Sequence, residues 1–433
     1  MSQETEVKLP FGRDFLEVKF PACARTTVVR KPAQPGLADS AGAVRSALDN
    51  PCESASLSTL AKGRRSACIV ICDITRPVPN HLFLRPMITD MMEAGIPSSA
   101  ISILIATGLH RPNEGDELRE LVGDPWVVHT IRVENHFARN EADHIDLGIT
   151  PTHRVPVKID RRFVEADLRI VTGLVEPHFM AGYSGGRKVI APGIAAAETI
   201  RMFHSARFLE VPEARSCNLA GNPLHETQLE ILDFIGEAYS LNTLINEERE
   251  LLHVTFGEMV ASHKAAVEFA RKACIVKTGR RFSTVVTSSA GFPLDSTYYQ
   301  TVKSMVTPLD ILKPGGTLIV AAKCSEGMGS DEFRSAQKIL QQVGPEGFLE
   351  GILSKRLAAI DEWQTEMQLR ATRTFRVQLY APGLTASDAE LTGVEMIDSV
   401  DRAIEDSIER SGDQDVAVIP EGPYLIPVCG PTE

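Results

Sequence analysis

The sequence VTGLVEPHFMAGYSGGRKVIAPGIAAAETIRMFH, residues 171–204, decides the fold that we expect for this chain. It overlaps an apolar run at 168–175 that is typical of a buried strand, and it continues through a loop that contains Pro177 and several glycines. An Ala-rich run follows, and Pro192 and Gly193 are predicted to begin it as a helix. This order is typical of an open α/β sheet, in which ligands bind beyond the carboxyl ends of the strands.

Polar and charged side chains occupy this loop. His178, Ser184, Arg187 and Lys188 lie between the predicted strand and the predicted helix, and His204 follows on that helix. Glycines let backbone N–H groups approach an anion closely, and the start of a helix adds a partial positive charge. The stretch therefore predicts a site for an anionic ligand, with two imidazoles and an amine beside it.

Other interpretations of the same residues are open. The letters GYSGG (182–186) match the Gly-x-Ser-x-Gly pattern of a serine nucleophile. In a serine hydrolase of that kind the strand runs straight into the serine, whereas residues 176–182 lack strand character, so we rank a Ser184 hydrolase last. Lys188 alone could be a solvated charge, and His204 alone could be a half-buried helix histidine.

The composition is that of an ordinary globular protein. The 433 residues are 43% hydrophobic and 24% charged, and the formal net charge of −12 argues against nucleic acid or an anionic membrane surface as a partner. The beginning of the sequence has no apolar signal-peptide core, and no run approaches the roughly 18 apolar residues that a membrane span needs. Eight cysteines without a Cys-x-x-Cys pair favour a reducing, cytoplasmic location.

Apolar runs bounded by turns predict strands that alternate with helices. Such strands indicate mostly parallel sheets with helices on both faces. In the first part of the chain the predicted strands are 66–74, 99–108, 127–135, 154–160 and 167–175, and the predicted helices are 81–96, 113–123, 224–236 and 257–274.

We predict two α/β domains with mostly parallel sheets and a ligand cleft between them. The N-terminal domain is expected at 1–275, and a basic break at 277–283 precedes a smaller C-terminal domain at 280–400. The tail at 410–433 contains a further apolar run, which we expect to rejoin the first sheet.

Three predicted strands end in polar motifs. DITRP (73–77) ends the first, ATGLHRP (106–112) ends the second, and EPH (176–178) follows the strand that opens the central stretch. Parallel strands end at one edge of a sheet, so we expect His110 and His178 to converge there. Each motif alone could be a helix cap or a loop, but their joint occurrence favours a site. Imidazole, with a pKa of about 6.5, exchanges protons at neutral pH, and two imidazoles suit a two-base enzyme.

These motifs resemble those of the nickel-dependent lactate racemase family, and the similarity runs over nearly the whole chain. The matching residues are 73–77, 106–111, 177–193, His204, 299–303 and Trp363. Members of the family hold a nickel-pincer nucleotide, a pyridinium mononucleotide whose two thiocarboxylate arms clasp nickel. The resemblance implies a racemase that interconverts D- and L-2-hydroxy acids, with lactate as the default substrate and malate or longer acids as alternatives.

The resemblance also implies a role for each matching residue. Lys188 would be linked covalently to the cofactor through a thioamide, and His204 would be the protein ligand to nickel. His110 and His178 would be the acid/base pair. The other implied contacts are Asp73, Ile74, Thr75, Arg76, Gly185 and Gly186 to the nucleotide, and Tyr299, Gln300, Lys303 and Trp363 to the substrate.

The mechanism that the resemblance implies is a hydride relay. One histidine removes the hydroxyl proton while the Cα hydrogen leaves as hydride, which then returns to the other face of the substrate. An imidazole cannot deprotonate so weak an acid as this Cα–H, which explains the need for a hydride-accepting cofactor. Cofactor-synthesis proteins would be partners for loading. A non-catalytic carrier or sensor of the nickel nucleotide remains the alternative, and it would need Lys188 and His204 but not both strand-end histidines.

Overall fold

The computed structural model describes residues 5–430 of the chain, which form two compact units. Neither unit is one continuous stretch of sequence. The N-terminal unit consists of Ala33–Phe203 and Val211–Ala273, and the C-terminal unit consists of the chain up to Pro32, the segment His204–Glu210 and the chain from Cys274 onward. No helix within the described range is long and apolar enough to cross a membrane.

Strands and helices alternate along most of the chain. The strands are β1 (Glu6–Phe11), β2 (Asp14–Lys19), β3 (Arg25–Val28), β4 (Ala67–Cys72), β5 (Ile101–Ala106), β6 (Arg132–Asn135), β7 (His144–Ile149), β8 (Pro156–Asp160), β9 (Leu168–Leu174), β10 (Pro177–His178), β11 (Gly182–Tyr183), β12 (Tyr239–Ile245), β13 (Leu251–Glu258), β14 (Ile275–Lys277), β15 (Phe282–Ser288), β16 (Leu312–Ala321), β17 (Arg376–Tyr380), β18 (Glu395–Met396), β19 (Asp415–Ile419) and β20 (Ile426–Val428).

The helices are α1 (Ser40–Asp49), α2 (Leu57–Ala61), α3 (Asn80–Glu93), α4 (Gly115–Val122), α5 (Pro125–Thr130), α6 (Arg161–Val164), α7 (Arg187–Ile190), α8 (Ala197–Phe203), α9 (Ala206–Leu209), α10 (Pro223–Ile235), α11 (Met259–Cys274), α12 (Tyr298–Val306), α13 (Asp331–Leu353), α14 (Glu362–Thr372), α15 (Ala386–Thr392) and α16 (Val400–Ser411). Short 3₁₀ helices lie at Ser98–Ala100, Glu141–Asp143, Leu309–Ile311 and Gly422–Tyr424.

A six-stranded sheet forms the centre of the N-terminal unit. Its order is β13-β12-β9-β4-β5-β6, and every pair is parallel except β12 with β13. Side chains of β4 alternate between two apolar cores: Ile69 and Ile71 pack in the core that contains α3, and Cys68 and Val70 pack in the core that contains Ile190. This two-sided burial explains the unbroken apolar run of β4 and confirms the predicted parallel α/β fold.

The C-terminal unit contains a second parallel sheet, with the order β18-β17-β16-β15-β19-β3. Its strand β19 comes from the tail and lies between β15 and β3. The expectation that the tail rejoins the first sheet is therefore wrong, because an apolar run predicts a buried strand but not its partner. Strand β3, at Arg25–Val28, also belongs to this sheet. We predicted these residues in the N-terminal domain at 1–275. Residues 431–433 of the predicted tail lie outside the described range.

Two stretches of the N-terminal unit differ from the sequence prediction. Residues 239–258 form the strands β12 and β13, which we did not predict. The predicted strand at 127–135 is half wrong, because Pro125 and the side chain of Asp124, which accepts the N–H of Trp126, begin the helix α5 there. The β-branched residues of α5 favour a strand, but its helix start signals prevail.

We expect Val418→Ala to destabilise the C-terminal unit alone. Val418 is fully buried in β19, and the cavity left by its methyl groups should cost roughly 2 kcal/mol. Hydrogen exchange should become faster in β15 and β16 while β4 and β5 keep their protection. Val70→Ala, at an equally buried position of β4, should give the opposite pattern. Faster exchange in β4 of the Val418 variant would show that the tail supports the other sheet.

Candidate active site

Three neighbouring strands bring the predicted motifs to one edge of the first sheet. Ile69 of β4 lies opposite Ile103 of β5 and Ile170 of β9, and all three strands run in the same direction. Asp73 directly follows β4, and His110 lies in the loop after β5. The carboxyl ends of these strands therefore meet where the parallel fold predicts a ligand site.

Asp73 holds and orients His110. The Asp73 Oδ2 atom lies 2.6 Å from Nδ1 of His110, and the Thr75 hydroxyl donates to Asp73 Oδ1 at 2.6 Å. Burial raises the pKa of Asp73, but the hydrogen bond and charge of His110, with Thr75 and Arg76, hold it below its usual value. Because a carboxylate only accepts, Nδ1 of His110 carries a proton, and Nε2 of the neutral ring has the lone pair of a base.

His178 favours the opposite tautomer. It lies in the short hairpin of β10 and β11 and is buried, with 8% of its surface exposed. Its Nδ1 atom accepts hydrogen bonds from the backbone N–H groups of Met180, at 3.3 Å, and Ala181, at 3.2 Å. A backbone N–H can only donate, so the proton of the neutral ring lies on Nε2. The two histidines thus differ: in the neutral rings, Nε2 of His110 is a hydrogen-bond acceptor and Nε2 of His178 is a hydrogen-bond donor.

Ser184 has a structural role. Its hydroxyl donates to the carbonyl oxygen of Leu174 at 2.7 Å and accepts the N–H of Glu176 at 3.0 Å. The side chain is buried, and its proton is directed at a backbone carbonyl rather than at a base. These contacts fasten the glycine loop to the end of β9, and they weigh against a serine nucleophile. Glu176 also forms an ion pair with Arg76, which joins the ends of β9 and β4.

Lys188 lies on the short helix α7, which begins directly after Gly186. The predicted Ala-rich helix is α8, but it begins at Ala197 and not at Pro192, because Pro192 and Gly193 form a turn between α7 and α8. The positive φ of 47° at Gly186 ends the glycine loop, and the separate helix α7 begins there, before the proline. The turn has another use, because the carbonyl of Gly193 accepts the N–H of Gly108 at 2.9 Å. It therefore links the Lys188 helix to the loop that carries His110.

The amine of Lys188 lies in a poorly hydrated, electropositive place. Burial lowers the pKa of Lys188 to about 7, and the charges of Arg76 and Arg187 lower it too, against the opposing effects of Cys72 and Glu176. Within residues 5–430 no hydrogen bond or ion pair engages this amine. A large share of the amine is therefore neutral at neutral pH, which is the form that bonds covalently to a ligand.

Gly185 and Gly186, the glycines predicted to contact the nucleotide, pack closely against other residues of the chain. The N–H of Gly186 donates to the side chain of Asn242 at 2.9 Å, and a Cβ atom on Gly186 would lie 2.9 Å from Cβ of His263. Gly185 has a φ of 77°, and its Cβ would lie 2.5 Å from a methyl group of Val175. Close packing thus explains both glycines. Their contact with a nucleotide phosphate stays a prediction.

We predicted Arg187 in the site loop beside Lys188 but did not predict that its side chain is buried. Arg187 is 2% exposed, and its guanidinium donates to Nδ1 of His225 at 2.5 Å and lies 2.9 Å from Nε2 of His263. Burial lowers the pKa of Arg187 to about 9, and burial together with the Arg187 charge lowers that of His225 to about 3. The guanidinium therefore faces neutral imidazoles and adds positive potential behind Lys188.

His136 is a residue that sequence reasoning missed. It directly follows β6, and its ring lies between the carboxylate of Asp160 and the carbonyl of Ala195, at 3.0 Å from each. The hydroxyl of Thr107, in the loop of His110, donates to the His136 carbonyl at 2.6 Å. His136 therefore braces two site loops. A histidine directly after a predicted strand was a visible signal, the same one that identified His178.

The remaining predicted residues belong to the C-terminal unit, apart from Ile74, whose N–H donates to Asn113 at 3.3 Å. The rings of His204 and Trp363 lie 4.8 Å apart, and the indole N–H of Trp363 donates to the hydroxyl of Tyr299 at 3.2 Å. The structure thus brings these three aromatic side chains together.

Gln300 and Lys303 are one turn apart on α12, the helix that also carries Tyr299. The Oε1 atom of Gln300 is buried without a hydrogen-bond partner, as expected for an acceptor that a ligand satisfies. The predicted cleft and the predicted roles of these residues stay predictions. Within residues 5–430 no group of three or more His, Cys, Asp or Glu side chains could hold a metal ion.

An Asp–His pair and a second histidine at the ends of parallel strands are groups that can exchange protons with a ligand at the place where α/β proteins bind one. Comparisons with known proteins identify the family. Residues 11–216 match the lactate racemase N-terminal domain, and residues 278–426 match the lactate racemase C-terminal domain. The chain belongs to the lactate racemase family, and it is accordingly an enzyme of the isomerase class.

Two relatives and two solved structures support this assignment. The lactate racemase of Lactiplantibacillus plantarum is 32% identical over 384 residues, 88% of this chain and 89% of the relative, and that of Thermoanaerobacterium thermosaccharolyticum is 33% identical over 329 residues, 76% of each. The lactate racemase apoprotein structure from the latter organism superposes with a TM-score of 0.89 at 28% identity, covering 98% and 99% of the two chains. A Thermotoga maritima crystal structure, with a TM-score of 0.67 at 17% identity over 86% and 96%, shares the fold.

Lys188 should react with an amine-acylating reagent at a lower pH than other lysines. Only the neutral amine reacts, so labelling of Lys188 should rise through about pH 7 as the amine loses its proton. Lys158 is the internal control, because its ion pair with Glu198 raises its pKa and keeps it charged. Peptide mass spectrometry of the cofactor-free protein would measure both. Equal labelling of the two lysines across the pH range would contradict the assigned environment of Lys188.

Proposed function

We propose that the chain interconverts the D and L forms of a 2-hydroxy acid such as lactate, with His110 and His178 as the acid/base pair. The observation that carries the proposal is the pair of opposite tautomers at the carboxyl edge of the first sheet. A racemase must accept substrates of both hands, so it needs one group that takes a proton and another that gives one. The names of the relatives, lactate racemase, support the same substrate class.

His110 takes the substrate hydroxyl proton at Nε2 in this proposal. The charge that develops on the ring is stabilised by Asp73, whose carboxylate is ionised and lies 2.6 Å from Nδ1. The neutral ring of His178 donates a hydrogen bond from Nε2 to the substrate oxygen. To give that proton away, His178 must also be protonated at Nδ1, so the loop must first release Nδ1 from the N–H groups of Met180 and Ala181. After the transfer His178 is neutral with its proton on Nδ1, and His110 is doubly protonated beside Asp73; these are the states in which the two residues act as base and acid on a substrate of the other hand.

The chain's residues fit a nickel-pincer nucleotide. The neutral, unpaired amine of Lys188 suits a covalent link, and the imidazole of His204 suits a nickel ion whose other donors come from the cofactor, since no complete protein ligand set is present among the described residues. Asp73 to Arg76 and the glycine loop are the proposed nucleotide contacts. When bound, the cofactor supplies a hydride acceptor for a Cα–H that an imidazole cannot deprotonate.

The C-terminal unit supplies the proposed substrate contacts. The cation of Lys303 suits the carboxylate of a 2-hydroxy acid, and the open acceptor of Gln300 suits its hydroxyl. Tyr299 and Trp363 would shape the pocket, since their mutual hydrogen bond fixes both rings. Proteins that synthesise the cofactor are proposed as partners for loading. The eight free cysteines fit the cytoplasm as the proposed location.

The test is the optical inversion of D- and L-lactate, malate and longer homologues by protein loaded with cofactor. His110→Ala and His178→Ala should each lower kcat/KM by roughly 10²–10⁴-fold. The loss should be equal in both directions, because the equilibrium constant of a racemisation is one. His129→Ala, which removes an exposed histidine of α5, is the matched control and should keep full activity.

Loading must be established before turnover is interpreted. Intact mass and metal analysis should show nickel and added mass on the Lys188 peptide, and an unmodified peptide from an active sample would refute the covalent link. Fully nickelated protein that turns over no 2-hydroxy acid would contradict the racemase proposal. A carrier or sensor would be indicated if both histidine variants kept the ligand and its biological effect.

A further inference from the structure

A short segment carries His204 out of the N-terminal unit. The chain leaves that unit after Phe203, contributes His204–Glu210 to the C-terminal unit and returns at Val211. We call His204–Glu210 the strap. It contains only the four-residue helix α9, which is too short to be stable through its own hydrogen bonds. The position of the strap therefore depends on what it packs against.

One face of α14, extended by its C-cap residue Arg373, holds the strap at both ends. Residues 363, 366, 370 and 373 share this face because they are spaced by three or four positions. At the first end the ring of Trp363 packs on His204, 4.8 Å between centroids. At the other end Arg370 donates to the carbonyl of Leu209, and the Arg373 guanidinium lies 3.1 Å from the carboxylate of Glu210.

Glu366 occupies the middle of this face. It is 1% exposed, and its Oε1 atom has no hydrogen-bond partner. Burial raises the pKa of Glu366 well above its usual value, and the neighbouring charge of Glu210 and a hydrogen bond to it raise it too, as does Glu362; Arg370 opposes them. These effects favour the protonated form of Glu366, and a protonated carboxyl donates a hydrogen bond that a carboxylate cannot.

We propose that Glu366 is a positioning residue that fastens the strap, and with it His204, by donating a hydrogen bond to Glu210 from a protonated carboxyl. Loss of that proton would bury a new negative charge beside two other carboxylates, Glu210 and Glu362. The cations nearby are already engaged: Arg373 pairs with Glu210, and Lys355 pairs with Glu362 at 2.6 Å. The strap should therefore loosen when Glu366 ionises.

The direction of the pH dependence follows from linkage. The pKa of Glu366 is higher in the folded chain than its ordinary value of 4.5. Its stabilising contribution is then complete below that ordinary value and is lost as the pH rises through the raised value. Fastening of the strap is thus strongest at acidic pH and weakens as the pH rises through the raised pKa of Glu366. Only the expected effect on turnover rests on the proposed role of His204; the fastening itself does not.

Hydrogen exchange of the strap amides, compared between the natural chain and Glu366→Gln, tests the proposal. Glutamine keeps an N–H donor for Glu210 and cannot ionise, so the variant corrects for the intrinsic pH dependence of exchange. The strap of the natural chain should exchange like the variant at acidic pH and roughly tenfold faster at alkaline pH, as expected for the loss of one charge-assisted hydrogen bond of about 1.4 kcal/mol. Identical exchange in both proteins at every pH would overturn the proposal.

Two further measurements separate this inference from the proposed function. Amides of β15 serve as the folding control and should be unchanged, and Glu366→Ala, which lacks a donor, should exchange rapidly at every pH. In cofactor-loaded protein, Glu366→Gln should keep its turnover at alkaline pH while the natural chain loses it. If hydrogen exchange of the strap changes with pH as expected but turnover does not, the proposed fastening is supported and the proposed role of His204 is contradicted. If exchange of the strap does not change with pH relative to Glu366→Gln, the fastening is contradicted and the racemase proposal is unaffected.

Discussion

Parallel pairing of β4 with both β5 and β9 is the constraint on which the N-terminal site depends. Because the three strands run in the same direction, Asp73, His110 and Glu176 all follow strand ends at one edge of the sheet. A shift of one residue in the register of β4 would exchange its two buried faces, and the apolar cores on both sides prevent this. Packing of Ile69 and Val70 on opposite faces thus fixes where the polar chemistry lies.

Burial then sets the charge of each group at that edge. Asp73 stays ionised because His110, Thr75 and Arg76 outweigh its desolvation, whereas nothing offsets the desolvation of Lys188 to the same extent. The N-terminal unit therefore carries both a carboxylate that orients an imidazole and an amine that is readily neutral. Desolvation likewise raises the pKa of Glu366 in the other unit, where its protonated carboxyl is proposed to hold the strap.

The sequence was informative where the signal is local. The apolar runs of β4, β5 and β9, each followed by polar residues, predicted the buried strands and the strand-end motifs, and the family resemblance is confirmed. The partner of β19 could not be predicted, because an apolar strand fits the interior of either sheet equally well. The buried position of Arg187 also has no local signal, since two histidines far along the chain create it.

His204 illustrates the same limit at the site. The sequence predicts His204 on the helix, but α8 ends at Phe203 and His204 directly follows it. Its surroundings come from α14, more than 150 residues away. Only the tertiary packing of the strap shows that this imidazole belongs to the C-terminal unit. The proposed chemistry uses residues of both units: Lys188 lies in the N-terminal unit, and His204 packs on α14 in the C-terminal unit.

The central claim is that two histidines of opposite tautomer serve as base and acid. Nitrogen-15 NMR of histidine-labelled, cofactor-free protein measures this directly, with single His110 and His178 variants to assign the signals. The account predicts that the neutral ring of His110 is protonated at Nδ1, beside Asp73, and that the neutral ring of His178 is protonated at Nε2. The same tautomer in both rings would contradict it.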